Sequence, residues 1–208
     1  MIKEIQGGVT AAKGFMAASA AAGIKYQNRE DMAMIYSPSP CRSAGTVTTN
    51  IVKAAPVKWD KKQVMSGADA HAVVINSGIA NACTGQEGMD YCSQTARAAG
   101  KALGIPEDSV LVASTGVIGM QLPMDRLQAG IAAMVPLLED SLEKGEAASR
   151  AIMTTDTKNK QVAVEFTIGG KTVTMGGMCK GSGMINTNIC RIFRILCKGG
   201  AIAGHKRI

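Results

Sequence analysis

Two short apolar runs, AVVI at 72–75 and VLVA at 110–113, each break directly into a glycine-bearing polar loop, and no other feature constrains the fold as strongly. Runs of this length and composition fit strands buried on both faces, which need a second layer on each side. The segment between them supports this reading. From residue 89 to 103 the apolar and Ala positions recur at helical spacing, and Gly104 and Pro106 stop the helix. A second helix is expected from Pro123 through Val135, and a third over 143–153. Residues 161–168 (QVAVEFTI) alternate cleanly, Gly169-Gly170 makes a two-residue turn, and 171–175 alternate again, a β-hairpin pattern. Residues 32–36 (MAMIY) read as a strand closed by the Ser-Pro-Ser-Pro that follows, and the β-branched run 47–52 as a strand or extended segment. The class is therefore α/β, with helices and strands mixed.

Composition narrows the function classes. Aromatic residues are only 3% of the 208, so the core must come from aliphatic side chains and the 13 Met. Cysteines fall at 41, 83, 92, 179, 190 and 197 without a C-x-x-C pair, and the histidines are His71 and His205. Neither a zinc site nor a disulfide framework is expected, and the thiols read as idle in a reducing cytoplasm. No apolar run reaches the roughly 18–20 residues that cross a bilayer, and the start of the chain lacks the apolar stretch of a secretory signal. The net charge of +7 raises the possibility of a nucleic-acid partner. It is concentrated at the end, however: residues 186–208 carry Arg191, Arg194, Lys198, Lys206 and Arg207 with no acid, leaving residues 1–185 at +2. Nucleic acid is thus not an expected partner of the body. In the tail, Ile189, Ile192, Phe193 and Leu196 can be drawn as one helical stripe, which would suit a membrane surface or a partner. A divergent, poorly ordered tail beyond about residue 185 is the simpler reading.

Several turns have the composition of sites. Ser114-Thr115-Gly116-Val117-Ile118-Gly119 follows a buried strand; its glycines permit a sharp bend that exposes N–H groups, and the Thr115 hydroxyl adds a donor. It lacks both the P-loop ending and the dinucleotide pattern, and by itself is either an oxyanion site or a structural turn. The loop 76–85 (NSGIANACTG) lies where α/β proteins often place ligand contacts, or merely caps the next helix. Cys83 has no histidine near it in sequence, and His71 reads as a core or edge residue. Thr154-Thr155-Asp156-Thr157 can bind an amino acid or simply turn the chain. Lys180 before Gly-Ser-Gly suits a substrate carboxylate, or a turn.

Taken in order, these segments are more specific. GVTAAKGF (8–15), TTN (48–50), KAAPV (53–57), NSGIANACTG (76–85), LVASTGVIG (111–119), AIMTTDT (151–157) and KGSGMI (180–185) resemble the ornithine acetyltransferase family of arginine biosynthesis, of the ArgJ type, over about 8–185. The resemblance implies a layered α-β-β-α sandwich completed by a second, β chain. It implies a precursor that cuts itself at an Ala-Thr bond, and a hetero-oligomer of the two chains. It also implies acetyl transfer from N2-acetylornithine to glutamate through an acyl-enzyme on the new N-terminal Thr, with acetyl-CoA as a further donor in some members and no other cofactor. Residue by residue, Thr115 and Gly116 match the oxyanion-hole pair, and Thr154 and Lys180 match substrate-binding positions. Two departures stand out. Ile79 replaces the usual Asn, and Arg191 falls where the family has the nucleophilic Thr, with Thr187 the nearest hydroxyl. The expectation is a chain inactive alone, with a substituted tail over 186–208. An amino-acid-binding remnant without catalysis is the alternative.

Overall fold

The structure, a computed structural model, describes residues 2–181 and the backbone of 193–199. Strand β1 (Ile2–Ile5) and β2 (Met16–Ala20) precede β3 (Met32–Arg42), helix α1 (Ala55–Ser66) and β4 (Asp69–Ile79). Then come α2 (Gly85–Leu103), β5 (Val110–Val117), α3 (Met124–Met134), α4 (Leu142–Ala151), the hairpin β6 (Lys160–Ile168) and β7 (Lys171–Lys180), and β8 (Phe193–Gly199). The strands form two four-stranded sheets, ordered β2-β3-β4-β5 and β1-β6-β7-β8. In the first, β4 and β5 run parallel, joined by the α2 crossover; every other pairing is antiparallel.

Alternation along β3, β4 and β5 sends one set of side chains to each face of the first sheet. Met32, Met34, Val74 and Val112 meet Ala96 and Ala99 of α2 and Leu127, Ile131 and Met134 of α3. On the opposite face Ala33, Ile35, Ile75 and Ala113 meet Ala148, Ala151 and Ile152 around α4, together with Met178 of the second sheet. The central strands are thus buried on both sides, as the runs at 72–75 and 110–113 require. On the outer face of the second sheet Ile2 is 73% and Val162 and Ile168 48% exposed, whereas Val173 of β7, opposite Phe166, is buried. The described residues supply one outer helical layer and two sheets; a second outer layer is not among them.

The hairpin turn is as expected, with Gly169 and Gly170 both at positive φ (56° and 76°). Three expectations need correction. The strand from residue 32 does not stop at Ser37 but runs to Arg42, and its pairing with β4 shifts register between Tyr36 and Cys41. That irregularity accommodates Pro38 and Pro40, which cannot donate to a ladder. Residues 47–52 form no strand; Asn50 N–H instead donates to the Thr48 hydroxyl in an exposed turn (3.2 Å). The chain over Phe193–Gly199 is a strand paired with β7, not part of a helical stripe. Ile189, Ile192, Thr187 and Arg191 lie outside the described residues.

Candidate functional site

The site lies where the parallel strands β4 and β5 end. Register places Ser77 opposite Thr115 and Gly78 opposite Gly116. The approach is so close that a Cβ on Gly116 would lie 2.2 Å from the carbonyl of Gly78, and Gly116 has φ +136°, so no other residue fits. A buried polar network fixes the loops on either side. Asn76 Nδ2 and Ser114 Oγ both donate to the carbonyl of Ile79 (2.8 and 3.1 Å), and Asn81 N–H donates to Ser114 Oγ (2.8 Å). Ala80 N–H donates to Val117 O and Gly119 N–H to Ala82 O, both at 2.8 Å. Within this frame the half-buried Thr115 hydroxyl makes no hydrogen bond among the described residues, which leaves it available to a ligand.

Ser77 also links this turn to the second cluster. Its hydroxyl donates to the carbonyl of Ala151 at the end of α4 (2.7 Å), and the 153–156 turn follows immediately. There Asp156 is the hub, with a side chain only 5% exposed. Its Oδ1 accepts from Gly181 N–H and Lys160 Nζ, both 2.7 Å, and its Oδ2 accepts from Thr154 N–H at 3.4 Å. The Lys180 ammonium lies 3.7 Å from Asp156 Oδ2 and donates to the Gly181 carbonyl (3.0 Å). Burial pushes the Asp156 carboxyl up, but Lys160, the amides of Gly181 and Thr154 and the Lys180 charge outweigh it and hold the group below its ordinary 3.8. A Cβ on Gly181 would stand 2.5 Å from Asp156 Oδ1, so a larger residue there would displace the carboxylate.

The structure places Thr115 and Gly116 beside the end of β4 and Thr154 and Lys180 around Asp156 after α4, and the Ser77–Ala151 hydrogen bond links β4 to the end of α4. The sequence singles out Asp156 only as the carboxylate of the Thr154–Thr157 motif and gives it no role of its own. A lone carboxylate two residues from Thr154 gives no sign that Lys160 and Lys180 will converge on it. The other residues singled out in the sequence differ in their surroundings. Ile79 is 5% exposed, its side chain in the core and its carbonyl bound by Asn76 and Ser114. His71 Nδ1 meets the Ser37 carbonyl at 3.0 Å. Cys83 is exposed at φ +58° and lines a cavity of about 270 Å³ with Lys53, Lys58 and Thr84. Among the described residues no cluster of His, Cys, Asp and Glu could hold a metal, and no helix is long and apolar enough to cross a membrane.

Comparison with known proteins shows the family and the fold. A profile described as the ArgJ family matches residues 16–205. The arginine biosynthesis bifunctional protein ArgJ of Symbiobacterium thermophilum is 50% identical over 200 residues, 95% of this chain and 49% of that protein. The protein of the same name from Gloeobacter violaceus is 46% identical over 193 residues, 92% of this chain and 47% of its own. A crystal structure of arginine biosynthesis bifunctional protein ArgJ from Bacillus halodurans superposes with TM-score 0.85 at 41% identity, covering 90% of this chain and 97% of that one. The ornithine acetyltransferase of Mycobacterium tuberculosis, solved in complex with ornithine, gives TM-score 0.81 at 42% identity over 89% and 98% of the two chains. The chain spans about half the length of the curated relatives it matches. It belongs to the ArgJ family.

Proposed function

We propose that this chain is the first half of an acetyltransferase of cytoplasmic arginine biosynthesis that moves acetyl from N2-acetylornithine to glutamate. The observation that carries this reading is the Thr115 hydroxyl beside the Gly116 turn, without a hydrogen bond among the described residues, on strands that Ser77 ties to the end of α4 ahead of the Thr154–Asp156–Lys180 cluster. It is supported by the likeness to an acetyltransferase that was solved with ornithine. In this reading Thr115 and Gly116 donate to the oxyanion of the tetrahedral intermediate, while Thr154 and Lys180 hold the amino-acid part. The nucleophile is the N-terminal Thr of a second chain, whose own amine takes the hydroxyl proton. Its Oγ attacks the acetyl carbonyl, the C–N bond breaks and ornithine leaves protonated; the glutamate amine then attacks the ester and releases the Thr. Acetyl-CoA is a further candidate donor by the same route. Residues 1–185 carry these roles and 186–208 add no chemistry.

The test is acetyl transfer from N2-acetylornithine to glutamate, measured for the 208-residue chain alone and with an added second chain bearing an N-terminal Thr. Silence alone and turnover with the partner are expected. Thr115→Ala should then lower kcat by about 10²–10³-fold, the cost of one lost oxyanion donor. Turnover by the isolated chain would contradict the assignment of the nucleophile. A second reading, an amino-acid-binding chain without transfer, draws on Arg191 standing where the family has Thr. Binding of acetylornithine without turnover in the presence of the partner would favour it.

A further inference from the structure

The residues between β2 and β3 cross the site, and nothing above assigns them a role. The crossing is pinned from several directions. Asp31, fully buried, accepts from the N–H groups of Ala22 and Ile24 (2.8 and 2.6 Å), and Arg126 donates to the carbonyl of Gly23. Arg29 Nη2 donates to the carbonyl of Met153 at 2.7 Å, next to Thr154. At the other end the segment lies on Gly78, the register partner of Gly116: a Cβ there would stand 2.9 Å from Lys25 Cβ and 3.2 Å from the Tyr26 ring. One short segment thus spans both halves of the candidate site.

Its charges are disposed unequally. The Arg29 guanidinium is stacked 4.3 Å from the centre of the Tyr26 ring and is tied to Met153. Lys160 and Lys180 share the Asp156 carboxylate. Lys25 differs: its ammonium lies 5.9 Å from the Tyr26 ring centre, is exposed, and meets neither a carboxylate nor a carbonyl among the described residues. A cation with a fixed base and a free head, beside the oxyanion turn, suits an anionic group of the ligand.

We propose that Lys25 is a carboxylate-binding residue that reads the α-carboxylate of the amino-acid substrate, with Tyr26 and Arg29 holding its segment in place. The proposal rests on the acetyltransferase reading for its substrate class. Lys180, already paired to Asp156, then orients the ligand without being its principal counter-charge.

The experiment is calorimetric titration of the 208-residue chain with N2-acetylornithine and, separately, with its α-carboxamide. Wild type should bind the acid about ten-fold more tightly than the amide, the worth of one charged hydrogen bond. Lys25→Met should remove that preference while leaving affinity for the amide unchanged, Lys25→Arg should keep it, and added salt should shrink it in wild type. A preference that survives Lys25→Met, or is absent from wild type, overturns the proposal, as does failure of wild type to bind either ligand. Should Lys25→Met not fold, the salt titration of wild type decides alone, and a preference insensitive to salt overturns the assignment. Acetyl transfer in the two-chain assay is scored independently, so loss of the Lys25 subsite leaves the acetyltransferase reading standing.

Discussion

At the residue scale the decisive chemistry is a single carboxylate. Asp156 is nearly enclosed, yet two ammonium groups and two amides make its charged form the favoured one. Its folded pKa is below 3.8, so it stabilises the fold fully above about pH 4, and the stabilisation is lost as pH falls through the lowered value. Asp156→Asn keeps an acceptor for Gly181 but not the charge. At pH 7 the variant should be less stable than wild type by about 1.5–3 kcal/mol, the range for hydrogen bonds to charged groups. Urea melts at pH 7 and pH 3 check this: the gap should narrow at the lower pH, and an equal gap at both would mean that the charge contributes nothing. The Thr115–Gly116 turn stood out in the sequence as glycines closing a buried strand, and its reading as an oxyanion pair came from the family resemblance. The Asp156 hub did not stand out, because its partners lie four and about twenty-five residues away and are brought in only by the β6–β7 hairpin.

Elements were legible where burial wrote a period into the sequence. The helix over 89–103 and the hairpin have one, and the strands from 72 and 110 show as continuous apolar runs; the structure lengthens β4 to Asp69–Ile79 and β5 to Val110–Val117. Helix α1 was missed for a physical reason: its sequence APVKWDKKQVMS buries only Ala55, Pro56 and Gln63, so no apolar stripe marks it. What it does instead is cover the edge of the first sheet. Trp59 Nε1 donates to the carbonyl of Val110 (3.1 Å) and Asp60 Oδ1 accepts from Val112 N–H (2.9 Å), so two side chains stand in for a missing strand along β5. Burial pushes the Asp60 carboxyl up to about 7, with the Val112 amide opposing. The native state therefore holds a proton that the unfolded chain releases near 3.8, and stability should decline as pH rises from about 4 to about 7. Asp60→Asn retains the acceptor and cannot ionise. It should match wild type near pH 4 and exceed it at pH 8, by on the order of 1–4 kcal/mol. Melting temperatures of the two proteins across that range are the measurement; parallel curves would place the titration elsewhere.

For the whole molecule, the two faces of the second sheet differ in kind. Its inner face carries Ala163, Gly176 and Met178, and a Cβ at Gly176 would stand 1.9 Å from the carbonyl of Gly8, so that side is packed to contact. Its outer face, by the alternation of β6, carries Val162, Val164, Phe166 and Ile168, with Ile2 paired opposite Phe166. Apolar groups at that density are not left to water without cost, about 25 cal/mol for each Å² that a partner could cover. In the two-chain reading this is the side on which the second chain docks. The chain alone should then self-associate through this face, and Val162→Lys with Ile168→Glu should shift it towards monomer in sedimentation velocity. Because both side chains are about half exposed, the melting temperature should hold within a few degrees. The same pair of substitutions should weaken capture of the Thr-bearing partner and lower turnover in proportion to the complex lost, leaving KM for acetylornithine in the remaining complex unchanged. Equal association of the variant and the parent chain would place the docking surface elsewhere, and the exposed apolar groups along β1 and β6 would need another occupant.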